Sequence, residues 1–355
     1  MRTISTGTAV VVGAGVSGLA AAIGLRRAGW AVSVLERRTE PERYGTAFGI
    51  HPTAQSALER LGVGDSFHSR AVPYRDARIR TPRGRTLASL PLERIERKAG
   101  RPELLIPRPF LLDALLDELA ELDVPLRFGE RVSDVNALVD GSDLVVGADG
   151  IRSSVRTACF GDRSGPCEVG TVAWIGIADF ESDVHGETWG RGRFFGMTPV
   201  EPGRTNWYAT VPEAVTAEEL RGYFEGWHDP IPRILGGTDP AAWIRYGMRH
   251  LFPALPSFVR TSSRGGNVAL VGDAAHAMTP NLGQGACTAI LDAEALTRAV
   301  AEHGVTRLDS ALLDYDAERR RAAQRVALAS RTLHRFMTTE HTRLRDAFVR
   351  TLPGR

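Results

Sequence analysis

Apolar positions along this chain change their spacing twice. In the first part, short continuous apolar runs alternate with helix-period segments. Ala9–Val12 reads as a strand buried on both faces, and Leu19–Arg27 as a helix of small residues ended by Gly29. Ala31–Leu35 reads as a second strand, closed by Glu36. Pro52 stands at a helix-start position before Ala54, Leu58 and Leu61, and Gly62 stops that helix. Arg78–Leu90 alternates around Pro82-Arg83-Gly84, which predicts a hairpin. Phe110, Leu111, Leu115, Leu119 and Leu122 put an apolar stripe on a helix running from Arg108 to Leu122. Strands are expected at Val124–Phe128 and Asp143–Val146.

From about Gly170 to Val211 the pattern becomes short aromatic and β-branched runs, Val172-Ala173-Trp174-Ile175, Arg193-Phe194-Phe195 and Asn206-Trp207-Tyr208, separated by Gly and Pro. That is the texture of an antiparallel sheet. Thr216–Trp227 reads as a short helix, and Pro230, Pro232, Pro253 and Pro256 mark a loop-rich return. Asn267–Val271 is again a buried strand, followed by a helix from about Gly285 to Glu302 and a long arginine-rich helix from Leu308 to about Leu352. A parallel layer is thus interrupted by an antiparallel one and rejoined, and function is expected at the seam.

The first crossover carries chemistry. Gly13-Ala14-Gly15-Val16-Ser17-Gly18 joins a strand to a helix. Gly13 permits the tight turn, Gly15 lets backbone approach a pyrophosphate, and Gly18 allows helix and sheet to pack closely. The unpaired N–H groups and positive dipole end of the helix then favour phosphate. Glu36, about 20 residues on, is placed to accept from ribose hydroxyls and argues against a 2′-phosphate, so the tightly held nucleotide is FAD or NAD rather than NADP.

Composition narrows the class. A length of 355 residues suggests two domains, and 43% hydrophobic with 24% charged residues is ordinary globular usage. The net charge of +2 implies no acidic partner. Lys98 is the sole lysine, so the arginine excess reads as GC-rich coding bias, not as a nucleic-acid surface. Cys159, Cys167 and Cys287 have neither metal-ligand spacing nor a disulfide framework, which fits a reducing cytoplasm. The apolar stretch from Arg2 to Leu25 is not a signal peptide, because nucleotide-loop glycines interrupt it. No membrane span and no metal site are expected.

Two further stretches sharpen the reading. Asp149-Gly150-Ile151-Arg152-Ser153-Ser154-Val155-Arg156 follows one strand, and Gly272-Asp273-Ala274-Ala275-His276 through Pro280-Asn281-Leu282-Gly283-Gln284-Gly285-Ala286 follows another. With the glycine loop, in this order, they resemble the group A, or p-hydroxybenzoate hydroxylase-like, FAD-dependent aromatic monooxygenases. The resemblance covers nearly the whole chain, including Arg108 at the head of its helix. It implies an α/β fold: a Rossmann-type FAD-binding domain interleaved with an antiparallel β-sheet substrate domain, and a long C-terminal helix. The FAD-binding parts are 1–72, 99–165 and 265–303. The substrate-domain hairpin is 73–98, the antiparallel-sheet substrate domain 166–264, and the C-terminal helical segment 304–355.

The resemblance also assigns residues. Besides Gly13, Gly15, Val16, Ser17, Gly18, Glu36 and Arg37, FAD is expected at Ala47, Phe48, Arg108, Val132, Asp149, Gly150, Gly272 and Asp273, and at Pro280, Gly283, Gly285 and Ala286 of the later turn. Asp273 would accept from ribityl hydroxyls, Arg108 would pair with the pyrophosphate, and Pro280 would border the reacting ring as the catalytic position. His51, Arg193, Phe195, Met197, Trp207 and Tyr208 are the substrate-pocket candidates. His276 reads as a packed, hydrogen-bonded loop residue.

The implied reaction has two halves. NADPH or NADH reduces the flavin and leaves, and dioxygen then forms a flavin C4a-hydroperoxide that hydroxylates or epoxidises an electron-rich aromatic or heteroaromatic ring. Natural-product tailoring or aromatic degradation by a cytoplasmic monomer or homodimer is the expected setting. Three features depart from most relatives: Val132–Leu144 is short, Phe48 stands where many carry glycine, and Thr46 where some carry arginine. Other classes share the fold. A reductase, dehydrogenase or halogenase would keep FAD, although Lys98 lies outside a halogenase context. A non-catalytic binder would lose the flavin motifs, which are intact here.

Overall fold

Strands buried on both faces and separated by helical returns assemble in parallel. The computed structural model describes residues 7–41 and 47–351. It orders the strands Val268–Leu270, Leu144–Gly147, Thr8–Val12, Ala31–Glu36 and Leu126–Phe128, with Val259–Arg260 antiparallel at one edge. The first helix, Val16–Arg27, begins at the glycine loop itself, three residues before the sequence pattern placed it, and Ser17 through Leu25 are all buried. It packs on the helices Gly285–His303 and Arg108–Glu121. A side chain at Gly24 would collide with Thr297 of the neighbouring helix, so small residues set this close approach.

The second layer is a seven-stranded sheet ordered Ile244–Phe252, Gly165–Ala178, Arg204–Pro212, Phe194–Glu201, Gly186–Trp189, Arg78–Arg80 and Thr86–Ser89. Its register lines up rows across the strands. Glu187 lies opposite Gly196, Gly196 opposite Tyr208, and Tyr208 opposite Ile175. Because side chains alternate between faces, the next residues along form the other face. There Phe195 stacks on Trp207 with ring centroids 5.7 Å apart, and Phe224 and Trp243 close round them. A third, smaller sheet, which the sequence pattern did not indicate, joins Ala47–Ile50, Glu103–Pro107 and Val72–Tyr74.

The C-terminal segment departs from expectation. It is two helices, Leu308–Met337 and Thr342–Thr351, not one. The Thr338 hydroxyl bonds back to the His334 carbonyl at 2.8 Å, and Thr338-Thr339 is a poor helix continuation. Arg345 fixes the fold-back. Buried at 2% exposure, it donates to the carbonyls of Met337, Trp189 and Gly190. Expectations at Gly45 and Thr46 fall outside the described residues.

One buried ionic network ties the parts together. Asp292, on the helix Gly285–His303, accepts from His276 Nε2, from Arg319 Nε at 2.9 Å and from the Gly272 N–H at 3.1 Å. Burial alone would pull the His276 value down, but the adjacent Asp292 carboxylate outweighs it and the net direction is up. Burial pushes Asp292 up, and His276, Arg319 and the Gly272 N–H together bring it below the usual carboxylate value. His276 is packed and hydrogen-bonded through Nε2, and the Asp292 carboxylate shifts it toward its charged form. Removing one partner strands a buried charge, so Asp292→Ala is expected to lose about 3–5 kcal/mol in chemical denaturation. A raised imidazole stabilises fully below about pH 6.5, its unfolded value, and this is lost as pH rises through the folded value. Wild-type stability should therefore fall on the alkaline side by an increment that His276→Gln lacks.

Candidate active site and cofactor channel

The two large sheets enclose one continuous cavity of about 1740 Å³. At its nucleotide end lie Gly13, Gly15, Val16 and Ser17 of the glycine loop, with Glu36 and Arg37 at the tip of the second strand. Gly13 has φ of +109°, and a side chain there would collide with the Ala148 carbonyl. Gly15 differs: no atom lies within 4 Å of where its Cβ would stand, so its backbone is open to the cavity. The helix behind it has no side-chain cap and no acidic residue in its first turn. Bare N–H groups and a positive dipole end facing open space make an anion cradle.

Glu36 is 7% exposed and accepts from Ala14 N–H at 2.8 Å and Arg38 N–H at 2.9 Å. Each carboxylate oxygen has a further lone pair for a ribose hydroxyl. Ala47, Phe48, Arg108, Val132, Asp149 and Gly150 continue the wall, and Arg108 lies over the Phe48 ring at 5.4 Å. Asp149 Oδ2 caps the next helix through Ser154 N–H at 2.7 Å and Val155 N–H at 3.2 Å. The carboxylate thereby fixes the Gly150 turn, whose backbone is likewise bare.

The third turn meets the first two. Asp273, Pro280, Gly283, Gly285 and Ala286 all line the cavity, and no atom lies within 4 Å of a Cβ built on Gly283 or Gly285. Pro280–Leu282 is a single 3₁₀ turn that ends at Gly283 in the left-handed conformation. The 19-residue helix from Gly285 has no side-chain cap, so its free N–H groups open onto the same space. Two expected ligand positions act differently. Gly18 and Gly272 do not line the cavity. A side chain at Gly18 would collide with the Gly13 carbonyl, and one at Gly272 would stand 2.6 Å from Ser17 Oγ. Both are required for packing behind the cradle.

The substrate end corrects four pocket candidates. Phe195, Met197 and Trp207 are 0% exposed and face the opposite core, while Arg193 stacks on Tyr223 and Trp227 at 5.7 Å. None of the four lines the cavity. Residues one step along the strands do, Phe194, Thr198 and Asn206, together with the expected Tyr208 and, two residues further on its face, Thr210. Such aromatic and methionine positions are more often sheet-face core than substrate wall, and alternation along the strand decides which face each takes. His51 also lines the cavity; it caps the helix Pro52–Arg60, and burial lowers its value. Cys287 beside it donates to the Gly49 carbonyl, and burial pushes its thiol up to about 12. Leu333, Phe336 and Phe348 of the C-terminal helices close the chamber. Tyr74, Glu187 and Trp189 are wall residues that sequence reasoning missed. The only available signal was an acid within a short apolar strand, Gly186-Glu187-Thr188-Trp189.

Residues 6–330 match the family described as FAD binding domain. The chain belongs to that family. It is 33% identical over 337 residues to the aurachin C monooxygenase/isomerase of Stigmatella aurantiaca, covering 88% of this chain and 85% of that protein. It is 32% identical over 343 residues to the FAD-dependent urate hydroxylase of Klebsiella pneumoniae, with the same coverage. A solved Klebsiella pneumoniae structure complexed with FAD and uric acid superposes with TM-score 0.84 at 26% identity, over 96% of this chain and 91% of that one. A salicylate hydroxylase substrate complex at 23% identity, TM-score 0.79, shares the fold. The protein is an FAD-dependent monooxygenase of the p-hydroxybenzoate hydroxylase-like group, with NAD(P)H as the reductant. Its three bare turns fit the cofactor. Among the described residues no helix is long and apolar enough to cross a membrane.

The difference between the packing glycines and the open one is measurable. Gly15→Val adds bulk only to open space, so the apoprotein should keep its thermal midpoint while FAD binds at least about tenfold more weakly, a loss of about 1.4 kcal/mol, by flavin fluorescence titration. Gly18→Val should instead lower the midpoint. Asp273→Ala should be purified largely without FAD, and stoichiometric retained flavin would contradict its assigned role.

Proposed function

We propose that this enzyme hydroxylates or epoxidises an electron-rich aromatic or heteroaromatic small molecule held between the antiparallel sheet and the Pro280 turn. One observation carries this reading. The chamber walled by Ile175, Phe194, Tyr208, Met248, Leu333 and Phe336 is continuous with the cofactor channel and opens onto Pro280, Asn281 and Leu282. Bound FAD supplies the oxygen-transfer chemistry at the expense of NAD(P)H and dioxygen. The chain's own part is to hold the ring against that face, to exclude water with its aromatic and aliphatic walls, and to stabilise negative charge with the helix that starts at Gly285.

The relatives support the substrate class. The Klebsiella protein is named for urate, and a Pseudomonas aeruginosa relative, 31% identical over 317 residues, is named 2-heptyl-3-hydroxy-4(1H)-quinolone synthase. Both names describe nitrogen heterocycles. In this reading 1–72, 99–165 and 265–303 hold FAD, 73–98 and 166–264 hold the substrate, and 304–355 covers it. Arg37, Phe48, Arg108, Val132 and Asp273 contact FAD, Pro280 borders the reacting face, and the protein works in the cytoplasm as a monomer or homodimer.

The test is turnover of a heteroaromatic panel under labelled dioxygen. The matching substrate should raise NAD(P)H oxidation at least about tenfold over the uncoupled rate and gain one ¹⁸O atom. Flavin bleaching by NAD(P)H with no labelled product from any ring would count against the proposal.

A further inference from the structure

Glu187 is an acid that nothing in the cofactor chemistry uses. It projects from the strand Gly186–Trp189 into the substrate end of the cavity. The sheet register explains how it is held. Glu187, Gly196 and Tyr208 sit side by side on three adjacent strands. Any side chain at Gly196 would stand inside the Tyr208 ring, so its absence lets that ring lie across the middle strand. The Tyr208 hydroxyl thereby reaches Glu187 Oε1 at 2.8 Å. Trp189, two residues along on the same face, donates its indole N–H to Oε2 at 2.7 Å.

Both donors are neutral. No arginine, lysine or histidine pairs with Glu187 among the described residues. A carboxylate has about four lone-pair sites, and two of them are taken. Leaving the others without a partner in a desolvated chamber is costly. Burial pushes the Glu187 carboxyl above its usual range, and the Trp189 and Tyr208 bonds only partly offset this. Nearby, Tyr74 and Glu103 also line the cavity and add polar oxygens; the Arg80 charge acts on Tyr74, but no ion pair to Glu187 or Glu103 is present among the described residues.

We propose that Glu187 is the specificity residue of the chamber: it accepts a hydrogen bond from a ring N–H or O–H of a neutral, otherwise apolar aromatic substrate and rejects aromatic carboxylates. The assignment rests on the substrate site of the preceding section. An anionic ring would have to sit against two carboxyls, Glu187 and Glu103, neither of which has a paired cation among the described residues. A neutral ring with one donor fills the remaining acceptor capacity while its body packs on Ile79, Ile175 and Phe194. A site built around a buried acceptor discriminates strongly against an analogue that lacks the donor.

The experiment reads binding by perturbation of the oxidised flavin spectrum in the holoenzyme, without turnover. The probes are 4(1H)-quinolone against 1-methyl-4-quinolone, 2-naphthol against 2-methoxynaphthalene, and quinoline-4-carboxylate with 3-hydroxy-2-naphthoate as anions. In the wild type the N–H or O–H member of each pair should bind at least about tenfold tighter than its methylated partner, and both anions more weakly still. Glu187→Gln should shrink the donor preference below about threefold and improve carboxylate binding. Tyr208→Phe, which keeps the ring and frees Oε1, should retain the preference.

Equal binding of the methylated probes, tighter binding of the anions, or no binding by any probe in the wild type would overturn the assignment. So would an unchanged preference in Glu187→Gln. Should that variant fail to fold, the wild-type pairs decide alone. A protein that shows this preference yet never incorporates oxygen would refute the oxygenase reading and leave the binding assignment standing.

Discussion

The strand–turn–helix junction at Gly13 to Gly18 tolerates almost no added atoms. Gly13 sits in the left-handed region against Ala148, Gly18 presses on the Gly13 carbonyl, and Gly272 meets Ser17. Three segments far apart in sequence are thus pressed together at glycines, with nothing larger than the Ser17 side chain between them at Gly272. That closeness lets the first helix end and the turn after Gly272 open on one cavity, and it leaves Gly15 bare on the cavity wall. Helix N-termini favour anions wherever they lie. Here the packing decides that two of them face the same space.

The same junction explains the buried ions. Asp292 spans from the helix Gly285–His303 to the Gly272 N–H, to His276 and, through Arg319, to the long C-terminal helix. Apolar packing alone would hold these elements with less directional constraint. A fully partnered carboxylate gives orientation at the cost of desolvating charge. The turn it orients carries Asp273, which lines the cavity, so a structural network lies directly behind the cavity wall.

The chamber beyond the channel is shaped by what one sheet presents on its two faces. One face is a dry aromatic core of Phe195, Trp207, Phe224 and Trp243. The other offers Phe194, Tyr208, Thr210 and Glu187 to the cavity. Gly196 and Gly176 mark where large rings cross their neighbours: Tyr208 over the first, and Trp207 over the second, where a Cβ would stand 2.6 Å from its ring. Glycine in a strand interior is usually a weakness. At these two positions the space left by the missing side chain is occupied by the aromatic residue of the next strand.

Much of the nucleotide half was legible in the chain itself, because its requirements are local. A tight turn needs glycine, a strand buried on both faces needs a continuous apolar run, and a ribose contact needs an acid at a fixed distance along one crossover. Gly13, Gly15 and Glu36 follow from those rules before any contact is known. The face of a strand does not, since a shift by one residue exchanges every side chain, and this is why Phe195, Met197 and Trp207 were assigned to the wrong side and Glu187 was missed. The break at Thr338-Thr339 and the small sheet through Ala47–Ile50 were equally hidden, because each depends on partners distant in sequence: Trp189 and Gly190 for Arg345, and Glu103–Pro107 for the strand. Sequence determined where turns beside the cavity need glycine, whereas only tertiary pairing decided which side chains of the antiparallel sheet line that cavity.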